Sequence, residues 1–237
     1  MDEAGVANRA LQLPPETIKD GISVDFVAVP WGAALGDSYY DTMLMDMSVF
    51  EAGIKAEEEG YDAVCIDTVS DSGMYALRSR LNIPVLGPGQ AAFHVACMLG
   101  HKFSVITMWD EWFHLYKKVL TEYKLESRCA SLRSINTRPD LEELLAGKEE
   151  VIFEKLEKES LEAIQEDGAD VIVLGSTTMH QSHGFLQQAL PVPVINPGLM
   201  SYKLCEIFLE TGLTHSKTAF PAPQQPNDQF ILSRVPD

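Results

Sequence analysis

Two short polar loops, Thr68-Val69-Ser70 and Ser176-Thr177-Thr178, carry the residues best placed to do chemistry. Each follows a short apolar run, and in open α/β sheets ligands sit outside the carboxyl ends of the strands. Loop N–H groups and hydroxyls gathered there suit a carboxylate or an enolate oxygen. The competing explanation for each hydroxyl is a plain helix N-cap. Ser and Thr do not ionise usefully near neutral pH without a partner base, so proton transfer needs a titratable neighbour. His180 and His183 follow Ser176 by four and seven residues, and a helical loop would stack both above the serine. Asp67 and Asp71 bracket Thr68 and offer a carboxylate as base. Trp109 and Trp112 supply an aromatic wall or, equally well, core packing.

The elements that position these loops follow from hydrophobic pattern. Val24–Val29 is a β-branched run, and Ser38 caps an amphipathic stretch that closes at Gly60. Ala63–Asp67 reads as a strand, Met74–Leu81 as a short helix, Val85–Leu86 as a strand and Gln90–Leu99 as a helix ended by Gly100. The rhythm continues with a strand at Phe103–Thr107, a helix over Asp110–Tyr123, a weak strand at Ala130–Ile135 and charged helix over Leu141–Asp167. Val171–Leu174 is a strand, followed by a short helix near Phe185, a strand at Val194–Ile195 and a helix over Leu199–Glu210. Strands alternating with helices predict an α/β fold with parallel sheets covered on both faces. Before Val24 there is room for one short strand at Ala10–Leu13, Pro14-Pro15 and a turn of helix, but not for a complete βα unit. The tail from Thr214 to Asp237, with Pro221, Pro223, Pro226 and Pro236, is expected to be extended.

The chain also repeats itself. EEGYDAVCIDTVSDSG followed by LNIPVLGPGQ recurs as QEDGADVIVLGSTTMH followed by LPVPVINPGL. Gly60 matches Gly168, Asp62 matches Asp170 and Thr68 matches Ser176 at an offset of 108, and Pro84-Gly87-Pro88-Gly89 matches Pro193-Asn196-Pro197-Gly198 one residue later. Duplication predicts two pseudosymmetric lobes, residues 1–100 with 197–237 and residues 101–196, whose polar loops face one cleft.

Composition narrows the field. The 237 residues suit one large or two small domains, with 46% hydrophobic and 22% charged residues, ordinary for a soluble globular chain. Lys and Arg number 18 against 35 acidic residues, and a net charge of −17 argues against nucleic acid or an anionic membrane as partner. A small anion remains compatible, because local N–H groups override the global field. No CxxC pair occurs among the four cysteines, three of which lie in apolar stretches and read as core; neither disulfides nor a zinc cluster are expected. No GxGxxG follows a strand, and the histidines are not spaced as a ligand set, so no cofactor and no metal are expected. Without an apolar leader or an apolar run of about 18 residues, a cytoplasmic protein is expected. A homo-oligomer is a separate expectation.

GDSYYD, EEEGYDAVCIDTVSDSG, LRSRLNIPVLGPGQAA, KFSVIT, ADVIVLGSTTMH, VPVINPG and GLTHSK, in this order, resemble the Asp/Glu/hydantoin racemase superfamily, closest to its hydantoin racemase branch. The resemblance runs from about Val24 to Pro223. It implies two Rossmann-like domains, no cofactor and a site in the cleft between them. It further implies proton removal and return at the carbon α to a carboxyl or carbonyl of a small acid or cyclic amide, by a cysteine at the end of each equivalent strand. At those two positions this chain has Thr68 and Ser176. Cys65, three residues earlier, falls on the other strand face and reads as core. By the same resemblance Asp71 shapes the turn after Thr68, Tyr39, Tyr40 and Thr107 line the substrate pocket, and His215 anchors the C-terminus. The expected catalytic set is Thr68, Ser176, His180 and Asp67, with Tyr39, Tyr40, Val69, Ser70, Thr107, Thr177 and Thr178 binding substrate. Three readings stay open: a racemase-type isomerase, a decarboxylase or carbon–carbon lyase working through an enediolate, and a non-catalytic small-ligand binder.

Overall fold

The computed structural model describes residues 3–138 and 149–232. The first part of the helix expected over Leu141–Asp167 and the end of the tail, Pro236 included, lie outside the described residues. The chain divides into two compact units. The first comprises residues 1–66, 72–87 and 202–237, and the second comprises 67–71 and 88–201.

The second unit is a doubly wound sheet. Strands β3 (Phe103–Thr107), β4 (Cys129–Ser134), β5 (Val171–Leu174) and β6 (Val194–Ile195) pair in the order β4-β3-β5-β6, all parallel. Period-two alternation sorts their side chains. Phe103, Val105, Val171 and Val173 pack with Phe93, Ala96, Tyr116 and Val119 from α4 (Pro88–Leu99) and α5 (Phe113–Tyr123). Ile106, Ile172 and Leu174 turn to the opposite layer, with Leu156 and Ala163 of α6 (Glu149–Gln165) and Leu186 of α7 (His183–Ala189). Burial on both faces explains why β5 is a continuous apolar run and why the polar residues of β3 are paired, Ser104 with Ser131 at 2.8 Å and Thr107 with Tyr116 at 2.7 Å. Trp109 and Trp112 are partly buried against these clusters, as core packing requires.

The first unit holds a smaller sheet, β1 (Val64–Cys65) parallel to β2 (Val85–Leu86). Helix α1 (Glu3–Ala10) and a 3-10 turn (Pro15–Thr17) open the chain, so residues 10–13 form a helix end and turn in place of the expected short strand. Val24–Val29 keeps strand-like alternation, with Val24, Phe26 and Ala28 partly buried between exposed Asp25 and Val27, but it joins no ladder. Hydrophobic alternation decides which side chains turn inward; it does not supply a partner strand, and β1 offers only two residues. Helix α2 (Tyr39–Gly53) starts where Ser38 Oγ accepts the N–H of Asp41 at 3.1 Å, and turns carry the chain on to Gly60. Helix α3 (Met74–Arg80) joins β1 to β2. Cys65 is exposed, not core, on a sheet only two strands wide.

Each copy of the repeat folds as strand, short helix, parallel strand and a helix beginning at proline: β1-α3-β2-α4 and β5-α7-β6-α8, with α8 spanning Pro197–Thr211. The GLTHSK element pins the tail to the first unit. His215 Nε2 accepts the N–H of Val85 at 2.8 Å, and Lys217 Nζ donates to the carbonyls of Arg78 (2.8 Å) and Leu81. Within its described residues, 214–232, the tail makes a turn at 217–220, where the N–H groups of Ala219 and Phe220 donate to the carbonyl of Ser216, and one turn of helix, α9 (Gln229–Leu232), past Pro226.

Candidate active site

The two polar loops lie in the same unit and touch. Thr177 is buried, and its Oγ1 donates to the main-chain oxygen of Asp67 at 3.2 Å. The carbonyl of the same Thr177 accepts from His180 Nδ1 at 3.1 Å. A carbonyl only accepts, so Nδ1 carries the hydrogen and Nε2 is the basic nitrogen of the neutral ring. Thr177 thus ties the main chain at Asp67 to the His180 ring.

The loop over 176–182 is a 3-10 helix, not an α-helix. At three residues per turn His180 and His183 fall in the row of Thr177 instead of rising above Ser176. His183 Nε2 is engaged with the carbonyl of Val194 at 3.1 Å. Ser176 is the N-cap of this helix: its Oγ accepts the N–H of Thr178 at 3.2 Å and shares a 2.7 Å hydrogen bond with Thr178 Oγ1. Capping and the paired hydroxyls coexist, and both side chains are only partly buried. A shallow apolar pocket lined by Met108, Phe153, Leu156 and Met179 runs up to Thr178.

The first loop is held by Asp71. Its carboxylate accepts the N–H of Gly89 (2.8 Å), the N–H of Gln90 (2.7 Å) and the hydroxyl of Tyr123 (2.7 Å), which caps helix α4. These bonds offset the left-handed backbone of Asp71, φ +51°. Gly89 is required there, since a Cβ would stand 2.2 Å from the carbonyl oxygen of Val69. In the second copy of the repeat Asn196 Oδ1 does the same work locally, accepting from Gly198 N at 3.1 Å and Leu199 N at 3.4 Å to cap α8. Gly87 stands at the matching place in the first copy, so the cap there must come from elsewhere in the chain.

Not every expected residue presents its side chain. Thr68 and Asp67 are partly buried, while Ser70 is buried and the Val69 side chain joins the core between the sheet and α4. Thr107 is fully buried: its hydroxyl shares a 2.7 Å bond with Tyr116, whose own hydroxyl donates to the carbonyl of Gly175 at 2.7 Å. That chain of hydroxyls supports the strand end just before Ser176, and burial raises the Tyr116 pKa so that it stays a neutral donor. A Cβ on Gly175 would lie 2.7 Å from Thr107 Cβ, so the backbone rests directly on this support. Tyr39 and Tyr40 open α2 in the other unit and are 79% and 72% exposed. The Thr177 bridge and the Tyr116 and Tyr123 supports were missed in the sequence, because they join residues 52 to 110 positions apart.

Among the described residues no group of three or more His, Cys, Asp or Glu is arranged to hold a metal ion, and no helix is long and apolar enough to cross a membrane.

Comparison with known proteins agrees with the motif order. The family described as Asp/Glu/Hydantoin racemase matches residues 7–205. A hydantoin racemase of Pseudomonas sp. (strain NS671) is 32% identical over 191 residues, 81% of this chain and 76% of that one. The allantoin racemase of Klebsiella pneumoniae superposes with a TM-score of 0.86 at 26% identity, covering 95% of this chain and 91% of its own. The allantoin racemase of Pseudomonas fluorescens gives the same score and identity, covering 94% of each chain. With its fold, its repeated strand–loop units and four-fifths of its length matched, the chain belongs to the Asp/Glu/Hydantoin racemase family.

Proposed function

We propose that the protein is a cofactor-independent racemase acting on a small cyclic amide of the hydantoin or allantoin type, at the ring carbon α to a carbonyl. The observation that carries this reading is the Thr177 bridge, which holds a carboxylate-bearing loop and a histidine with a basic Nε2 in one cluster beside paired hydroxyls. In the proposed reaction a base takes the proton from the α carbon, and the electron pair passes into the carbonyl as an enolate. Hydroxyl and N–H groups of Thr68, Val69, Ser70, Ser176 and Thr178 stabilise the developing oxygen charge. A second group returns a proton to the opposite face. Asp67 and His180 take the two proton-transfer roles, because they titrate and the hydroxyls at Thr68 and Ser176 do not. The same reading treats residues 1–100 with 197–237 and residues 101–196 as the two halves of a duplicated racemase.

Polarimetry on single enantiomers of 5-substituted hydantoins and of allantoin tests the proposal. Native protein should remove the optical rotation, and Ser176→Ala should slow it by about 10²- to 10³-fold with unchanged circular dichroism. Rotation that persists with every such ring, or a fully active Ser176→Ala, overturns it.

A further inference from the structure

Outside the candidate site, one pair of side chains has an arrangement with chemical consequences. Cys65 lies on β1 and is exposed; Cys205 lies on α8 and is buried. Both belong to the first unit. The Cys65 thiol is the largest influence holding the proton on Cys205. Both also sit over the same strand, Cys205 Sγ at 3.8 Å from the carbonyl oxygen of Val64 and Cys65 Sγ at 4.0 Å from that of Ile66. Val64 immediately precedes Cys65, so Cys205 Sγ packs against the main chain next to the Cys65 side chain. The other cysteines, Cys97 and Cys129, are in the second unit and partly buried. Neither is engaged in the proposed racemisation, and neither contacts a thiol in the described hydrogen bonds.

We infer that Cys65 and Cys205 are a redox-modification site, closing to an intramolecular disulfide under peroxides and reopening under small thiols. The asymmetry of the pair assigns the steps. Cys65 faces solvent, so its thiolate attacks the peroxide; an S–O bond forms, the O–O bond breaks, and hydroxide leaves, giving a sulfenic acid. The Cys205 sulfur then attacks Cys65; the S–S bond forms, the S–O bond breaks, and the Cys205 proton leaves with the oxygen as water. Two thiols lose two electrons and one peroxide becomes two waters. Cys205 is the resolving partner because the Cys65 thiol beside it and its own burial hold its proton on, as does the Glu206 carboxylate. The closed bond staples β1, which leads into Asp67 and Thr68, to the helix that enters from the second unit.

The test uses the full chain under native conditions. After stoichiometric hydrogen peroxide, two of the four thiols should be lost, and non-reducing peptide mapping should show the Cys65 peptide joined to the Cys205 peptide. Dithiothreitol should restore both thiols. In Cys205→Ser the Cys65 sulfenic acid should persist and be trapped by dimedone; in Cys65→Ser, Cys205 should keep its thiol. A dimedone adduct on Cys65 of the native chain without the linked peptide overturns the inference. So does a disulfide of either residue with Cys97 or Cys129, or four thiols surviving the peroxide.

Discussion

Replacing Thr177 by valine removes one donor and almost nothing else, since the two side chains have nearly the same shape. The lost bond is the 3.2 Å contact from Oγ1 to the main-chain oxygen of Asp67, made by a residue 2% exposed. A bond of this kind contributes about 0.5–1.5 kcal/mol, and a carbonyl that loses a donor costs about 1–3 kcal/mol where water cannot replace it, toward the lower end here because Asp67 is only partly buried. The expected loss of stability is therefore about 1–2 kcal/mol in urea titrations, short of unfolding the chain, because Asp71 still holds the 67–71 loop through Gly89, Gln90 and Tyr123. Thr177→Ser keeps the donor and loses one buried methyl, about 1 kcal/mol. The two variants are thus similar in stability but should differ in catalysis. A shift of the loop by a fraction of an ångström should lower kcat of Thr177→Val about 10- to 100-fold with little change in KM, while Thr177→Ser stays within about threefold of native. Equal activity in both variants, or a loss in Thr177→Ser as large as in Thr177→Val, refutes a positioning role for the hydroxyl.

His215 should make stability pH-dependent. Burial first, and then the positive charge of Arg78, lower its pKa to about 4 from an ordinary 6.5, and only the neutral ring can accept the Val85 N–H. Its contribution is complete above about pH 6.5 and is lost as pH falls toward 4. For a half-exposed ring this amounts to about 1–2 kcal/mol, well below the full shift; His215→Gln should flatten that limb of the urea midpoint against pH, and an unchanged slope would contradict the assignment. Arg133 gathers Glu159, Glu162, Glu166 and Asp167 within 2.6 to 3.5 Å and joins β4 to the end of α6. Arg133→Met should cost about 2–3 kcal/mol, partly recovered in high salt, as read from thermal melts. Gly89→Ala drives a Cβ into the Val69 carbonyl at 2.2 Å and should destabilise by about 2–3 kcal/mol while depressing racemase turnover; a variant as stable as native would show the loop is not held as described.

Much of the second unit was legible because its strands are buried on both faces. Phe103–Thr107, Val171–Leu174 and Val194–Ile195 were read with their observed boundaries. Reading was poorer where local pattern and tertiary partner part company. Val24–Val29 alternates without pairing, Cys65 lies in an apolar run yet faces solvent, and the N-terminal residues coil into α1. At the site, the residue types were legible but their arrangement was not. The 3-10 pitch of 177–182, marked by the backbone bond from Met179 N–H to the Ser176 carbonyl at 3.1 Å, puts His180 in the row of Thr177 and not in that of Ser176. Thr107 was read as a pocket residue from its place at a strand end, and only the fold shows its hydroxyl spent on Tyr116. The matched Pro-Gly turns were visible as a repeat; that one copy is capped by its own Asn196 and the other by a distant Asp71 follows from the single difference at Gly87.

The central claim is the proposed reaction, removal and return of the α proton of a ring amide by the titratable groups Asp67 and His180. Proton NMR of a single-enantiomer 5-substituted hydantoin in deuterium oxide, with native protein, measures that step itself. The account predicts loss of the ring C–H signal into solvent deuterium in step with inversion, faster than in the protein-free control, and sharply slowed when His180→Gln and Asp67→Asn are combined. A C–H signal that decays no faster than the control, or decay that is unaffected by that double substitution, would contradict it.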